Sequence, residues 1–319
     1  MKILVTGAAG FIGSHLCEKL LQEETNEVIG LDGFIDGATP AWIRRRNIEG
    51  LLLHPRFQFK EADLLQVSWE ELLPGVDIVY HLAGMPGVRT SWGPDFAFYV
   101  QHNIQATQRL LEGCKIYPIK RFIYASTSSV YGEKTGKVGE DAEPEPLSPY
   151  GVSKLTGEQL CRVYHRNDGL PIVILRFFTV YGPRQRPDMA FHRFIVQMQQ
   201  GKPITLNGDG TQTRDFTYVQ DCVEAVAAAS RAEHVIGETI NIGGKQRASV
   251  LECIAILEEC FRQKAEMVLA QSTYGEPKNT WADISKAGRL LGYSPRVDLR
   301  TGLEQEMLYI LQLYKGMKP

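Results

Sequence analysis

The sequence predicts an α/β protein built on a doubly wound parallel sheet, with a smaller, interleaved C-terminal substrate-binding lobe. The first observation is that short apolar runs of strand type alternate with helical patterns up to about residue 177. Such alternation indicates parallel strands joined by right-handed helical crossovers. The second observation is that the pattern then breaks into turns rich in glycine and proline, at 181–188 and 207–210, which indicates a separate loop-rich lobe.

A glycine-rich turn follows the first strand. The apolar run at the start of the chain leads into Gly7, Gly10 and Gly13, which open a helix. Strand, glycine turn and helix in this order are typical of a dinucleotide site, because the glycines let the backbone approach a pyrophosphate at the positive end of the helix. The second strand, 27–31, ends at Asp32, whose carboxylate can accept both ribose hydroxyls of NAD and repels the extra phosphate of NADP. We therefore expect a Rossmann-type unit that binds NAD.

The other elements of this unit follow from the same alternation. Strands are expected at 1–6, 57–60, 78–81, 122–125 and 172–177. Helices are expected at 14–22, 39–52, 68–73, 97–115 and 150–167. An order of strand, helix and strand repeated in this way is typical of a parallel sheet covered on both faces.

A tyrosine and a lysine four residues apart predict a proton-abstracting group. Tyr150 and Lys154 lie one turn apart on the same face of an expected helix. A free phenol has a pKa near ~10, and a cationic ammonium one turn away favours the phenolate and lowers that pKa. Thr127, at a strand end, can hold a substrate hydroxyl between itself and the phenolate. These three residues are the candidate catalytic group for carbinol chemistry, and NAD is the expected hydride acceptor.

Taken in order, these motifs resemble the extended short-chain dehydrogenase/reductases, specifically the sugar-nucleotide epimerases and dehydratases. The matching residues run through the whole chain, namely Gly7, Gly10, Gly13, Asp32, 62–64, 81–84, Asn103, Ser126, Thr127, Tyr150, Lys154, 176–183, 214–217, 241–244 and 280–285. The resemblance implies an NAD-binding domain over 1–177, to which 215–243 returns. It also implies a sugar-nucleotide-binding lobe formed by 178–214 and 244–319.

The resemblance also implies which residues contact the cofactor. The expected NAD contacts are Gly7, Ala9, Gly10, Phe11, Ile12, Gly13, Asp32, Asp63, Leu64, Leu82, Ala83, Gly84, Asn103, Tyr150 and Lys154. In this family two helices of each subunit commonly form a four-helix dimer interface, and the matching stretches here are 97–115 and the helix that carries Tyr150. A homodimer is therefore expected.

The two positions after Thr127 bear on the reaction that follows oxidation at C4 of a sugar nucleotide. Dehydratases of the family place Asp-Glu there, since eliminating water needs an acid and a base, and UDP-glucuronate decarboxylases place Ser-Glu. This chain has Ser128 and Ser129, neutral donors that suit holding a carboxylate. Thr179 and the segment that begins at Arg186 resemble those of UDP-glucuronate 4-epimerases.

The expected substrate contacts carry over from the same subfamily. They are Pro86, Gly87, Val88, Arg89, Thr127, Ser128, Ser129, Thr179, Arg186 and Arg214. Pro86 and 90–92 depart from that subfamily's pattern, and Gln185 stands in place of a glycine. The sequence leaves open which of four cations contacts the carboxylate and which the diphosphate, namely Arg89, Arg186, Arg214 or Lys278. The choice of UDP over other nucleoside diphosphates rests on the resemblance.

The sequence therefore predicts an isomerase, a UDP-sugar 4-epimerase with UDP-glucuronate as its substrate. UDP-glucuronate decarboxylase and UDP-glucose 4-epimerase stay open as alternatives. A non-catalytic NAD-binding regulator on the same fold is disfavoured, because such a protein loses the tyrosine or the lysine, and Tyr150, Lys154 and Thr127 are all present.

The composition bears on partners and compartment. A net charge of −2 over 319 residues gives no basic field, so nucleic acid is not an expected partner. The sequence shows no leader pattern and no run of membrane-spanning length, so no membrane association is expected. Six cysteines without C-x-x-C spacing read as reduced core residues of a cytoplasmic protein. The histidines lack metal-ligand spacing, so we expect no metal and structural or wall positions for His81 and His192.

Overall fold

The computed structural model describes residues 1–35, 37–270 and 275–316. Over these residues the chain forms a seven-stranded sheet in the order β10-β6-β5-β4-β1-β2-β3, whose neighbouring strands all pair in parallel. Its strands are β1 Lys2–Thr6, β2 Glu27–Asp32, β3 Phe57–Glu61, β4 Ile78–His81, β5 Arg121–Thr127, β6 Ile172–Phe177 and β10 Thr239–Ile242. The predicted doubly wound parallel sheet is confirmed.

Helices cover both faces of this sheet, and others pack in the smaller lobe. They are α1 Phe11–Leu21, α2 Ala41–Leu52, α3 Trp69–Leu72, α4 Phe96–Tyr99, α5 Ala106–Ile116, α6 Pro149–Asp168, α7 Ala190–Gln199, α8 Val219–Ala229, α9 Val250–Phe261, α10 Ser285–Leu291 and α11 Leu299–Leu313. The helix expected over 97–115 is interrupted, because a π-helical turn, Val100–Gln105, joins α4 to α5. Short π segments of this kind often occur at functional sites.

The core lies on both faces of the sheet because side chains alternate along each strand. In β1, Ile3 and Val5 belong to the apolar cluster that includes residues of α1 and α8, whereas Leu4 belongs to the cluster that includes residues of α5 and α6. All three side chains are fully buried. A strand that is apolar at consecutive positions is what a parallel sheet covered on both faces requires.

Two small sheets build the second lobe. One has the order β11-β9-β7, with strands Gln246–Ser249, Thr213–Tyr218 and Thr179–Tyr181, and the other pairs β12 Met267–Ala270 with β8 Ile204–Asn207. The sequence predicts that the segment 215–243 returns to the large sheet. Its last strand, β10, does so by pairing with β6, whereas β9 pairs with β7 and β11 in the small sheet. The assignment of the two lobes to separate functions stays a prediction.

The cysteines and the two singled-out histidines occupy ordinary structural positions. All six cysteines are free thiols, and burial raises the pKa of five of them strongly, namely Cys17, Cys114, Cys161, Cys222 and Cys253. His81 lies between the hydroxyls of Thr6 and Thr107, and burial lowers its pKa to about 3. His192 contacts Gln185 and Tyr314.

Candidate active site

The glycine turn between β1 and α1 has no room for larger side chains. Gly7 has φ +72°, and a Cβ there would lie 2.8 Å from the backbone nitrogen of Ala83. A Cβ on Gly13 would lie 2.1 Å from the carbonyl oxygen of Gly7. Gly10 directly precedes α1, so the unpaired N–H groups of the first helical turn face the space above this turn. This cradle fits a pyrophosphate held by backbone and helix dipole.

Asp32 lies beside the glycine turn at the end of β2. Its carboxylate accepts hydrogen bonds from the N–H groups of Ala9 (3.2 Å) and Phe34 (2.9 Å). Arg44 of α2 approaches it at 3.4 Å. Burial raises the pKa of Asp32, while these hydrogen bonds and the Arg44 charge oppose the rise. A ribose hydroxyl placed here would therefore meet a buried acceptor that is already held in a fixed orientation.

One cleft brings together nearly all the residues predicted to bind the cofactor. Its walls contain Gly7, Gly10, Phe11, Ile12, Gly13, Asp32, Asp63, Leu64, Leu82, Ala83, Gly84, Asn103, Tyr150 and Lys154. Ala9 is the exception, since its side chain is fully buried and its N–H is directed to Asp32. The cleft therefore joins the glycine turn to the predicted catalytic pair.

Asn103 connects the π-helical turn to the cleft wall. Its side chain accepts a hydrogen bond from the N–H of Met85 at 2.7 Å and donates to the carbonyl of Met85 at 3.0 Å. It also donates to the Ser153 hydroxyl at 2.9 Å. A Cβ on Gly84 would come within 2.7 Å of the Asn103 amide oxygen. Asn103 thus fixes the chain after β4 against the helix that carries Tyr150 and Lys154.

Tyr150 and Lys154 lie in the first turns of α6. Ser148 is the N-cap of this helix, and its hydroxyl accepts a hydrogen bond from the N–H of Gly151. Lys154 is buried with its ammonium 4.3 Å from the centre of the Tyr124 ring. Burial lowers the pKa of Lys154 to about 8, and the charge of Glu158 one turn later opposes this. Lys154 can therefore give up its proton more easily than an exposed lysine.

The pKa of Tyr150 differs from what the sequence suggested. Burial raises it, and the influences that lower it are the hydrogen bond with Thr127 and the charge of Arg186. Lys154, which the sequence predicts to lower this pKa, is not among these influences. The groups that favour the phenolate instead come from the end of β5 and from the loop after β7, both far from Tyr150 in sequence.

The hydroxyls after Thr127 form a small network at the end of β5. The Thr127 hydroxyl donates to Ser129 Oγ and accepts from the Ser129 N–H, both at 3.2 Å. Ser128, Ser129 and Thr179 are half-buried. Ser126 instead donates to Glu158, which forms a buried ion pair with Arg176. Only neutral side chains therefore follow Thr127 within this short turn.

The four candidate cations fall into different places. Arg186 lines the cleft with Tyr150 and forms two hydrogen bonds to Asp188, at 3.0 and 2.9 Å. Arg89 and Arg214 both pair with Glu276, at 3.0 and 3.2 Å. Lys278 is exposed, and its carbonyl accepts a hydrogen bond from Arg214. Arg186 therefore lines the same cleft as Tyr150, whereas Arg89 and Arg214 converge on a shared carboxylate.

Comparisons with known proteins agree with this geometry. Residues 3–243 match the profile described as the NAD dependent epimerase/dehydratase family. The chain belongs to this family. A Bacillus subtilis (strain 168) protein described as an uncharacterized UDP-glucose epimerase, YtcB, is 57% identical over 316 residues, which cover 99% of this chain and 100% of the relative. A UDP-glucuronate 4-epimerase of Thermodesulfobacterium geofontis (strain OPF15) is 38% identical over 99% of this chain and 98% of its own length.

A solved structure of a relative gives the same fold. The UDP-glucuronic acid 4-epimerase of Bacillus cereus, in complex with UDP-glucuronic acid and NAD, superposes with a TM-score of 0.97 at 60% identity. The match covers 98% of this chain and 100% of that chain. The cofactor of this NAD-dependent family is NAD, and the glycine cradle and Asp32 described above fit it.

Several residues of the cleft and its surroundings were not predicted from the sequence. Arg44, His102 and Met85 line the cleft, and Glu276 pairs with two of the candidate arginines. Arg44 offered a signal, since it is a cation on the helix that follows Asp32. Glu276 offered no such signal, because it lies far along the chain from Arg89.

Over the described residues, the helices are too short or too polar to cross a membrane.

Proposed function

We propose that this chain is a UDP-glucuronate 4-epimerase that interconverts UDP-glucuronate and UDP-galacturonate. One observation carries the proposal, namely that Arg186 lies in the same cleft as Tyr150. A guanidinium at that place can hold a carboxylate by two parallel hydrogen bonds. The related Bacillus cereus enzyme, whose structure contains UDP-glucuronic acid and NAD, supports the same substrate.

In the proposed mechanism Tyr150 takes the proton of the C4 hydroxyl and later returns one to the same oxygen. Thr127, whose hydroxyl bonds to Ser129 and which lowers the pKa of Tyr150, orients that C4 hydroxyl. When bound, NAD accepts the hydride from C4 and gives it back to the opposite face. The 4-keto sugar has to turn over between these two events, so the walls of the cleft must bind both of its faces.

We assign the cofactor and substrate contacts to the residues named from the sequence. The cofactor contacts are the residues predicted to bind NAD that line the cleft, together with Ala9, whose N–H donates a hydrogen bond to Asp32. Around the sugar we place Thr127, Ser128, Ser129, Thr179 and Arg186. The 86–89 segment and Arg214 lie toward the nucleotide, since Arg89 and Arg214 share Glu276 and two arginines suit a diphosphate.

The two alternative reactions are separated by particular residues. Loss of CO2 is favoured by a carboxylate beside the substrate anion, as in the Ser-Glu pattern of the decarboxylases, and Ser129 is neutral. A UDP-glucose 4-epimerase is favoured by the description of the Bacillus subtilis relative. Glucose has no carboxylate for Arg186 to hold, and we therefore rank it second.

One incubation separates the three reactions. The purified protein is mixed with UDP-glucuronate and, separately, with UDP-glucose, and the products are resolved by mass and by sugar identity. We expect a C4 epimer of unchanged mass from UDP-glucuronate. A product lighter by CO2 would identify a decarboxylase, and turnover of UDP-glucose alone would identify a glucose-type epimerase.

We also propose a homodimer assembled through α4, the π-helical turn and α6. Phe98, Val100, Val152 and Val163 are exposed apolar side chains on these two neighbouring helical stretches. Such side chains on adjacent helices suit packing against a second copy. Light scattering should give the mass of two chains for the wild type and of one for Val152→Glu/Val163→Glu.

We place the protein in the cytoplasm, since its six thiols are free and most are buried.

A further inference from the structure

Tyr99 lies at the junction between α4 and the π-helical turn, and neither the sequence patterns nor the proposed mechanism uses it. Its side chain is 3% exposed. Its hydroxyl lies 2.7 Å from Thr90 Oγ1, 3.0 Å from the carbonyl of Pro86 and 2.9 Å from the carbonyl of Gly87. A phenol has one proton to donate, so it donates to this pair of carbonyls and accepts from Thr90.

The segment from Pro86 to Thr90 folds closely around this hydroxyl. Gly87 has φ +110°, and a Cβ there would lie 2.7 Å from Thr90 Oγ1 and 3.4 Å from the Tyr99 hydroxyl. A short 3₁₀ turn, Arg89–Ser91, follows directly. The path of this segment therefore depends on the buried phenol, which donates hydrogen bonds to the carbonyls of the segment.

The other side of Tyr99 faces the catalytic base. The rings of Tyr99 and Tyr150 are 6.1 Å apart between centroids and inclined at 71°, an edge-to-face contact. Such a contact favours one orientation of the partner ring over others. Burial raises the pKa of Tyr99, so its phenol stays protonated at neutral pH and keeps its role as a donor.

We infer that Tyr99 is a positioning residue that couples the 86–90 segment, through its hydroxyl, to the ring of Tyr150, through its edge-to-face contact. The inference rests on the proposed function for what the segment and the base bind. It separates two roles within one side chain. The hydroxyl holds the substrate-side segment, and the ring holds the base.

The test compares Tyr99→Phe, which keeps the ring and loses the hydroxyl, with Tyr99→Leu, which loses both. For Tyr99→Phe we expect KM for UDP-glucuronate to rise about fivefold to tenfold, as for the loss of one buried hydrogen bond, with kcat within twofold of the wild type. For Tyr99→Leu we expect the same rise in KM and, in addition, a kcat lowered at least tenfold. If Tyr99 only stabilised the fold, the loss of the hydroxyl would not change KM while leaving kcat nearly unchanged.

Tyr117 supplies the matched control. It follows the C-terminal end of α5 away from the cleft, and Tyr117→Phe and Tyr117→Leu should leave both constants unchanged. Hydrogen exchange of the NAD-bound protein adds a readout that needs no sugar nucleotide. Amides of residues 87–92 should exchange faster in Tyr99→Phe than in the wild type and in Tyr117→Phe.

The outcomes separate this inference from the proposed function. If the wild type does not epimerise UDP-glucuronate, the proposed function fails, and the exchange experiment still decides whether the hydroxyl holds the segment. Unchanged exchange in Tyr99→Phe would overturn the inference. Equal kcat values for Tyr99→Phe and Tyr99→Leu would overturn the part that concerns the Tyr150 ring.

Discussion

Arg186 and Tyr150 line the same cleft, and the guanidinium charge opposes the rise that burial causes in the pKa of the Tyr150 phenol. Arg186 is paired with Asp188 through two hydrogen bonds, so the charge is held in place. The same cation can thus serve two purposes, as a partner for a substrate carboxylate and as a source of positive potential at the base. This relationship leads to the first two predictions.

Tyr150→Phe should lower kcat by two to four orders of magnitude, because the loss of a positioned acid–base group typically costs about that much. The cofactor should still bind, since the glycine turn and Asp32 lie at the other end of the cleft. Steady-state kinetics with UDP-glucuronate measures kcat, and calorimetric titration with NAD measures cofactor binding. Near-normal epimerisation by this variant would contradict the assigned base.

Arg186→Gln should move the acidic limb of the kcat–pH profile to higher pH. The base must be deprotonated to act, so activity rises as pH increases through the pKa of Tyr150. Removing the guanidinium removes an influence that lowers this pKa, so the limb shifts to higher pH. Arg186→Lys keeps the charge and should shift the limb less. An unmoved limb in Arg186→Gln would show that Arg186 does not act on the base.

Local motifs account for the part of this site that the sequence predicted. The glycine turn, Asp32 and the Tyr150–Lys154 pair depend on short spacings, and the strand order places them at one edge of the sheet. The pairing of Arg89 with Glu276 was not predictable in this way, because 187 residues separate them. The role of Tyr99 was not predicted for a similar reason, because the sequence does not indicate which ring an aromatic residue of a helix will contact.

Asp32→Asn should weaken NAD binding about tenfold and reduce the discrimination against NADP. The charge that orients toward the ribose hydroxyls and repels a 2′-phosphate is lost, while Arg44 remains beside it. Calorimetry with both cofactors measures the change in the ratio of the two Kd values. Adding Arg44→Met to Asp32→Asn should remove the gain in NADP affinity. A wild type that prefers NADP would show that the role given to Asp32 is wrong.

Glu158→Gln should destabilise the fold by about 3–5 kcal/mol, because it leaves a buried guanidinium without its carboxylate. Arg176 is 1% exposed and Glu158 is fully buried, and they share hydrogen bonds of 2.8 and 2.6 Å. Urea unfolding gives the free energy of unfolding. The double variant Glu158→Met/Arg176→Met should recover most of the loss. Additive losses in the double variant would contradict a buried pair that stabilises mainly by mutual compensation.

The partition of the 4-keto intermediate gives the most direct test of how the carboxylate is held. Oxidation at C4 of UDP-glucuronate makes a β-keto acid, which loses CO2 most easily when the bond to the carboxylate lies perpendicular to the ketone plane. Donors that hold the carboxylate away from that orientation keep the intermediate on the epimerisation path. Ser129 and Thr179 are the half-buried hydroxyls assigned to this task.

Ser129→Ala and Thr179→Ala should therefore slow epimerisation and raise the ratio of UDP-4-keto-pentose to UDP-galacturonate. A hydrogen bond to a charged group is worth about 1.5–3 kcal/mol, so losing one should change this ratio by tenfold or more. Thr156→Ala is a suitable control, because this hydroxyl donates to the carbonyl of Val152 within α6. Chromatography of the products with mass detection measures the ratio. If both variants keep the wild-type ratio and full activity, these hydroxyls do not hold the carboxylate, and Arg186 alone has to orient it.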